Sequence, residues 1–282
     1  MSKADRRLSE VFRRGSRTYF NSTRFFPAAV RGDVTALYAF VRTADDLIDR
    51  VPQDAAGFAA FRRSYGESRA GGRPSGYPVV DAFLELAGRR AFEPAWVDAF
   101  LDSMSMDLTK KDYENIDETL LYIYGSAEVI GLMMARIMGL GDDALGTARL
   151  LGRAMQYINF IRDLREDQAL GRTYLPRREM RAAGLDSLGE EEARKKPEAF
   201  RAFLRGEIAR YHAWQAEAEK GYALLPRRYR VPVRTAGDMY KWTAGRIEAD
   251  PFLVFRGAVK PSRARIVGTG WRNLFAAKEG GR

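Results

Sequence analysis

YAFVRTADDLIDR, residues 38–50, combines an apolar helical face with three carboxylates in five residues. Tyr38, Phe40, Val41, Leu47 and Ile48 supply the apolar weight, whereas Asp45, Asp46 and Asp49 repel one another. Asp is also a poor residue for a helix interior. Tyr38, Arg42, Asp45 or Asp46, and Asp49 recur at i, i+4, i+7 or i+8, and i+11. On a helix of 3.6 residues per turn these positions form one polar stripe.

A second stretch repeats the device. In MQYINFIRDLREDQALGRTYLP (155–176), Asn159, Asp163 and Asp167 are spaced i, i+4, i+8, and Gln156 joins their face. Like charges at i, i+4 cost a helix a few tenths of a kcal/mol. Two such pairs, Asp45/Asp49 and Asp163/Asp167, suggest a compensating cation. Oxygen ligands on rigid helices suit Mg²⁺, or Mn²⁺ in its place, completed by water and substrate phosphate oxygens. Two stripes facing each other across a bundle would hold such ions around a diphosphate. The competing reading is a solvated face, with Arg42, Arg162 or Arg165 forming surface bridges worth less than about 1 kcal/mol each.

Composition narrows the chemistry. The chain has 282 residues, 46% apolar and 30% charged, which is ordinary for a globular protein. It has no cysteine and one histidine, His212. Disulfides, thiol nucleophiles and Cys-ligated zinc are excluded, and most His-dependent hydrolase schemes lose their base. The net charge of +10 allows a nucleic acid, an anionic membrane or a phosphorylated substrate as partner. The basic residues are interleaved with acids and no nucleic-acid motif accompanies them, so no nucleic acid is expected. No run of 18 apolar residues occurs, so no segment is expected to span a bilayer. MSKADRRLSEVFRRG has no apolar core of a secretory signal. The expected location is the cytoplasm, with the basic surface either solvated or peripheral on the inner face of an anionic membrane.

Apolar period 3.6 dominates and convincing alternating strands are missing. It predicts helices at 32–50, 54–70, 78–88, 94–108, 117–139, 143–167, 197–222 and 227–248. Gly and Pro break the pattern at 70–78, 138–143 and 170–176. No repeat or long linker appears, so 1–282 is expected to be a single all-α domain, with a tail at 271–282 that frays.

At these motifs the sequence resembles the squalene/phytoene synthases, over roughly residues 12–258. ALYAFVRTADDLID and NFIRDLREDQALGRTYLP match the family's two aspartate-rich motifs. MDLTKKDYENIDETLLYIYGSAEVIGLMMARIMG and YHAWQAEAEKGYALLP are similar to its middle and later segments. The resemblance implies an isoprenoid-synthase helical bundle around a central cavity, monomeric, joining two polyprenyl diphosphates head to head through a cyclopropylcarbinyl diphosphate. It implies that Asp45, Asp49, Asn159, Asp163 and Asp167 hold Mg²⁺, with these aspartates, Tyr38 and Arg42 catalytic. Ser16, Arg42, Tyr122, Gln156, Asn159, Tyr240 and Arg256 would bind substrate, with Lys260 or Arg263 as alternatives to Arg256.

Tyr38, Phe40, Tyr122, Tyr157, Phe160 and Tyr240 are candidates to stabilise a carbocation, although aromatics at helical spacing are commonly plain core. Gly125, Ser126, Ala127, Gly131 and Ala135 would leave room for a prenyl tail, or pack helices closely. Two positions depart from the family: Gly15 replaces a histidine found in some members, and Glu128 replaces a common glycine. Glu128 could line the cavity, act as a base or face a basic neighbour. The wording is nearest to prokaryotic phytoene synthases, implying two geranylgeranyl diphosphates, phytoene as product and no need for NADPH. Two farnesyl diphosphates giving dehydrosqualene, squalene or hydroxysqualene are the alternative, and a non-catalytic isoprenoid-binding or assembly protein of the same fold is a remote one.

Overall fold

A computed structural model describes residues 26–257 and 259–279; Gly15 and Ser16 lie outside them. The chain runs through α1 (Ala28–Asp49), α2 (Ala55–Gly71), α3 (Pro78–Arg89), α4 (Pro94–Thr109) and α5 (Ile116–Ile123). A π turn (Tyr124–Glu128) leads into α6 (Val129–Ile137), followed by α7 (Leu145–Arg162), α8 (Leu164–Ala169) and α9 (Arg177–Ala182). Then come α10 (Glu190–Lys195), α11 (Pro197–Glu219), α12 (Arg227–Ala249), α13 (Leu253–Arg256) and α14 (Arg263–Glu279). Among the described residues there is no strand, only an isolated bridge between Asp112 and Thr173.

Local chemistry explains the starts. Asp54 caps α2 by accepting from the Gly57 N–H at 2.8 Å, and Asn115 caps α5 by accepting from Glu118 at 3.0 Å. Pro stands at the first position of α3, α4 and α11, where its missing N–H costs nothing.

The eight expected helices are present. The expected 143–167 helix is interrupted at Asp163, whose φ of −95° and ψ of 19° leave the helical region. Its N–H still bonds Asn159 at 2.7 Å, and Asp167 bonds Asp163 at 2.8 Å, so the acidic stripe keeps its face. Four further helices lie outside the sequence expectation. α9, α10 and α13 have six, six and four residues, too short to show a period. α14 contains Gly268 and Gly270, which weaken its helical signal, and it crosses the stretch expected to fray.

α7 packs along α11 and α12 on one side and along the π turn and α6 on the other, while α1 contacts α4 and α6. One aromatic core lies beside α1, where Phe40 stacks on Phe83 at 3.9 Å and also meets Phe61 and Phe100. Each buried Phe contributes about 1.5–3 kcal/mol. Ile116–Ile137, continuous through the π turn, is by length and composition apolar enough to cross a membrane, with mean hydropathy 1.4. A core helix of a bundle meets the same criterion. Here the segment lies within the bundle, with half of its apolar window buried.

The π turn also settles Glu128. Its carboxylate is 1% exposed and accepts from Arg149 Nη2 at 2.9 Å and Arg153 Nε at 2.6 Å. It is a buried tie between the π turn and α7, not a cavity base. Beside it, a Cβ on Gly152 would meet the Ala127 carbonyl oxygen at 2.4 Å. Gly152→Ala must push these helices apart, and overpacking of this kind costs about 1–3 kcal/mol. Gly146→Ala, on the same helix with nothing within 4 Å, should gain about 0.5–1 kcal/mol. Thermal melts of the two variants should therefore move in opposite directions.

Candidate functional site

Helices α1, α4, α5, α6, α7 and α12 enclose a cavity of about 1040 Å³. This is at the upper end of ordinary ligand sites. One end is polar. From α1 come Tyr38, Arg42, Asp45 and Asp49; from α7 and the α7–α8 junction come Gln156, Asn159, Asp163 and Asp167. Tyr122 enters from α5 and Tyr240 from α12. The two stripes read from sequence therefore meet in one cavity. Asp46 does not line it and instead pairs with Arg42 at 2.5 Å, so Asp45 is the inward member of the doublet.

The lining residues that were not singled out from sequence include a connected polar group, Asp107, Arg172 and Tyr174. Asp107 accepts from Tyr122 at 2.6 Å and from Tyr174 at 2.8 Å. Arg172, 3% exposed, lies 3.8 Å from Asp107 and donates to Asp49 at 2.8 Å and to the Ile48 carbonyl at 3.2 Å. Arg172 thus bridges the first stripe to α4. Arg172 and Tyr174 fall inside the second matched stretch, and Asp107 stands at the start of the middle segment, yet none of the three recurs at a helical spacing with the acidic stripes. Arg162 grips Asp163, with its Nε at 2.7 Å from one carboxylate oxygen.

Burial and crowding set the charge states. Burial, then the charge of Asp49, pushes the Asp45 carboxyl up to about 7, against the opposing pull of Arg42. Burial followed by Asp163 raises Asp167 well above the carboxylate range; Arg172 opposes, and Asp49 and Asp107 add to the rise. Burial also raises Asp107, with Arg172 and the two tyrosine hydroxyls opposing. Tyr122 and Tyr174 are raised by burial and remain neutral donors.

This donor set fits a hard divalent cation. It is oxygen-only, its carboxylates repel one another, and Asn159 Oδ1 is buried without a hydrogen-bond partner. Among the described residues no three acidic or histidine side chains converge on one point. An ion here would complete its shell with water or phosphate oxygens, as Mg²⁺ commonly does.

The other end of the cavity is apolar, with Val34, Leu37, Met134, Met138 and Leu151 in its wall. Of the nominated aromatics, Tyr38, Tyr122, Phe160 and Tyr240 line the cavity. Phe40 belongs to the aromatic core, and Tyr157 bonds Glu207 and Arg210 beside Trp214. Ser126, Ala127 and Gly131 line the wall, whereas Gly125 faces the Ala99 carbonyl of α4. Arg256 is a correction: it is 61% exposed and pairs outward with Asp250 at 3.1 Å. Lys260 and Arg263 line the cavity instead.

The profile of the squalene/phytoene synthase family matches residues 12–265. A 15-cis-phytoene synthase of Pantoea ananas is 33% identical over 258 residues, 83% of this chain and 79% of that protein. One from a Paracoccus species is 30% identical, covering 92% of this chain and 87% of that protein. Phytoene synthase 3 of Zea mays is 32% identical over 95% of this chain, which spans 65% of the maize protein. Among solved structures, a dehydrosqualene synthase superposes with a TM-score of 0.85 at 22% identity, over 98% of this chain and 97% of that one. A squalene synthase of Alicyclobacillus acidocaldarius gives 0.79 at 22% identity, over 88% and 94%.

Proposed function

Since this chain belongs to the squalene/phytoene synthase family, we propose that it joins two geranylgeranyl diphosphates head to head to form phytoene, releasing two diphosphates. The observation that carries this reading is the meeting of two acidic stripes at the polar end of one large cavity whose other end is apolar. The choice of C20 substrates is supported by the phytoene synthases among relatives at 30–33% identity.

In this reading the first C–O bond breaks to release one diphosphate and an allylic cation. The double bond of the second molecule attacks it, a proton leaves, and a cyclopropylcarbinyl diphosphate forms. Loss of the second diphosphate, rearrangement and loss of a proton give the 1'-1 linked hydrocarbon. Asp45, Asp49, Asn159, Asp163 and Asp167 would hold Mg²⁺ or Mn²⁺, which when bound supplies positive charge for diphosphate departure. Arg42, Gln156, Lys260 and Arg263 would orient the diphosphates. Arg172 holds Asp49 in place, and the buried tyrosines fix Asp107. Aromatic faces of Tyr38, Tyr122, Phe160 and Tyr240 would stabilise cationic carbon, and the apolar wall keeps water from quenching it.

The test is incubation with Mg²⁺ and geranylgeranyl diphosphate without NADPH, in parallel with farnesyl diphosphate, reading hydrocarbons by chromatography and mass. A C40 hydrocarbon with a conjugated triene chromophore, from the first reaction alone, is expected. A C30 product only from the second would reassign the substrate, and no product from either would overturn the enzymatic reading.

A further inference from the structure

Helix α14 has two unlike faces. Ile266, Gly270 and Asn273 are buried, and Asn273 donates to Thr235 at 3.2 Å and Asp238 at 2.9 Å on α12. The opposite face carries Val267, Trp271 and Phe275, which are 43%, 54% and 56% exposed. They recur at i, i+4, i+8, and the Trp271 and Phe275 rings stack at 6.2 Å. Other large exposed apolar side chains among the described residues are scattered over separate elements. Single exposed apolar residues need no explanation, whereas a contiguous stripe marks an interaction site.

The surroundings of the stripe are basic. Residues 256–279 contain six Lys or Arg and one acid. Arg265 and Arg272 flank the stripe, and Arg272 is 69% exposed although it reaches Asp238 at 3.3 Å. Lys260 and Arg263 are exposed yet also line the cavity, so they stand at its rim; Ile266, one turn further, lines it too. One helix therefore borders the cavity and presents the apolar stripe.

We propose that the outer face of α14 docks onto an anionic lipid bilayer, lying in the interfacial plane and bringing the cavity rim to the lipid. An amphipathic helix with Trp on its apolar side and Arg beside it has the composition of such an element. The occupant follows from charge: anionic headgroups complement the basic flanks, whereas a second copy of this face would bring like charges together. The benefit of the arrangement rests on the proposed function, whose substrates are amphiphiles and whose product is a hydrocarbon.

The test uses the full chain without substrate and vesicles of phosphatidylcholine with or without phosphatidylglycerol. Co-sedimentation with the phosphatidylglycerol vesicles, weakened by salt and absent for pure phosphatidylcholine, is expected. Trp271→Glu combined with Val267→Glu should weaken that binding at least about tenfold. The double variant should keep the wild-type melting temperature and its turnover of detergent-dispersed substrate. Equal vesicle binding by both proteins, or none by the wild type, would overturn the proposal. So would a wild-type dimer dispersed by the double variant, which assigns the stripe to a second copy. If neither protein turns over substrate but binding behaves as expected, the proposed reaction fails and the docking surface stands.

Discussion

Asp45→Asn and Asp163→Asn are each expected to lower kcat by about 10²–10³-fold, with the helical circular dichroism retained. Each change keeps side-chain size and removes one charge from a stripe that lines the cavity. A structural carboxylate would show the reverse pattern, with stability lost and turnover preserved. For Asp45 the sign on stability can be worked out. Its carboxyl ionises near 3.8 when unhindered and at about 7 in the folded chain without a cation. Between those values the folded state binds more protons than the unfolded one. Stability therefore falls as pH rises through that window and stays reduced above it. Asp45→Asn removes this component, so at pH 8 without divalent cation the variant should melt a few degrees above the wild type. Added Mg²⁺ should raise the melting temperature of the wild type more than that of the variant. Thermal melts with and without Mg²⁺, beside single-turnover assays, read both effects. Full activity in either variant would remove the metal assignment.

Arg172→Met should have the largest effect on stability. Arg172 and Asp107 are 3% and 4% exposed and 3.8 Å apart, and the same guanidinium holds Asp49 and the Ile48 carbonyl. Removing one partner of a buried pair typically costs about 3–5 kcal/mol, because the other charge stays buried and unmatched. For a chain of this size that corresponds to a drop of roughly 10 °C in melting temperature. Adding Asp107→Asn should recover much of the loss, since the amide oxygen still accepts a hydrogen bond from Tyr122 or Tyr174 and no unpaired charge remains. Turnover should stay low in the double variant, because Asp49 has lost its anchor. A small change in melting temperature for Arg172→Met alone would show that solvent reaches the pair and that the network is weaker than its geometry indicates.

Parts of the site are legible without the fold because their geometry is local. The recurrences of Asp45 with Asp49, and of Asn159 with Asp163 and Asp167, follow from the helix period, which holds wherever the helix lies. Even the break at Asp163 leaves that recurrence intact, since the i to i−4 hydrogen bonds continue across it. The choice between Asp45 and Asp46 is different. The two are adjacent in sequence, about 100° apart around the axis, and either could face inward until the packing of α1 against α4 and α6 fixes its rotation.

Other features depend on contacts between residues distant in sequence. Arg172 meets Asp49 across 123 positions, and Tyr174 meets Asp107 across 67. Glu128 finds Arg149 and Arg153 across 21 and 25. No periodicity encodes such pairs. Arg256 pairs with Asp250 away from the cavity, and Lys260 and Arg263 line it, a choice that neighbouring positions in sequence do not make. α9, α10 and α13 are each shorter than two turns, so a period of 3.6 had no room to repeat. Sequence by itself determined the all-α class and the two acidic stripes, because helix period and side-chain chemistry act within a few residues. Tertiary structure alone decided which carboxylates face the cavity, what neutralises them and which basic residues stand at its rim, because burial and long-range pairing are set only when the helices pack.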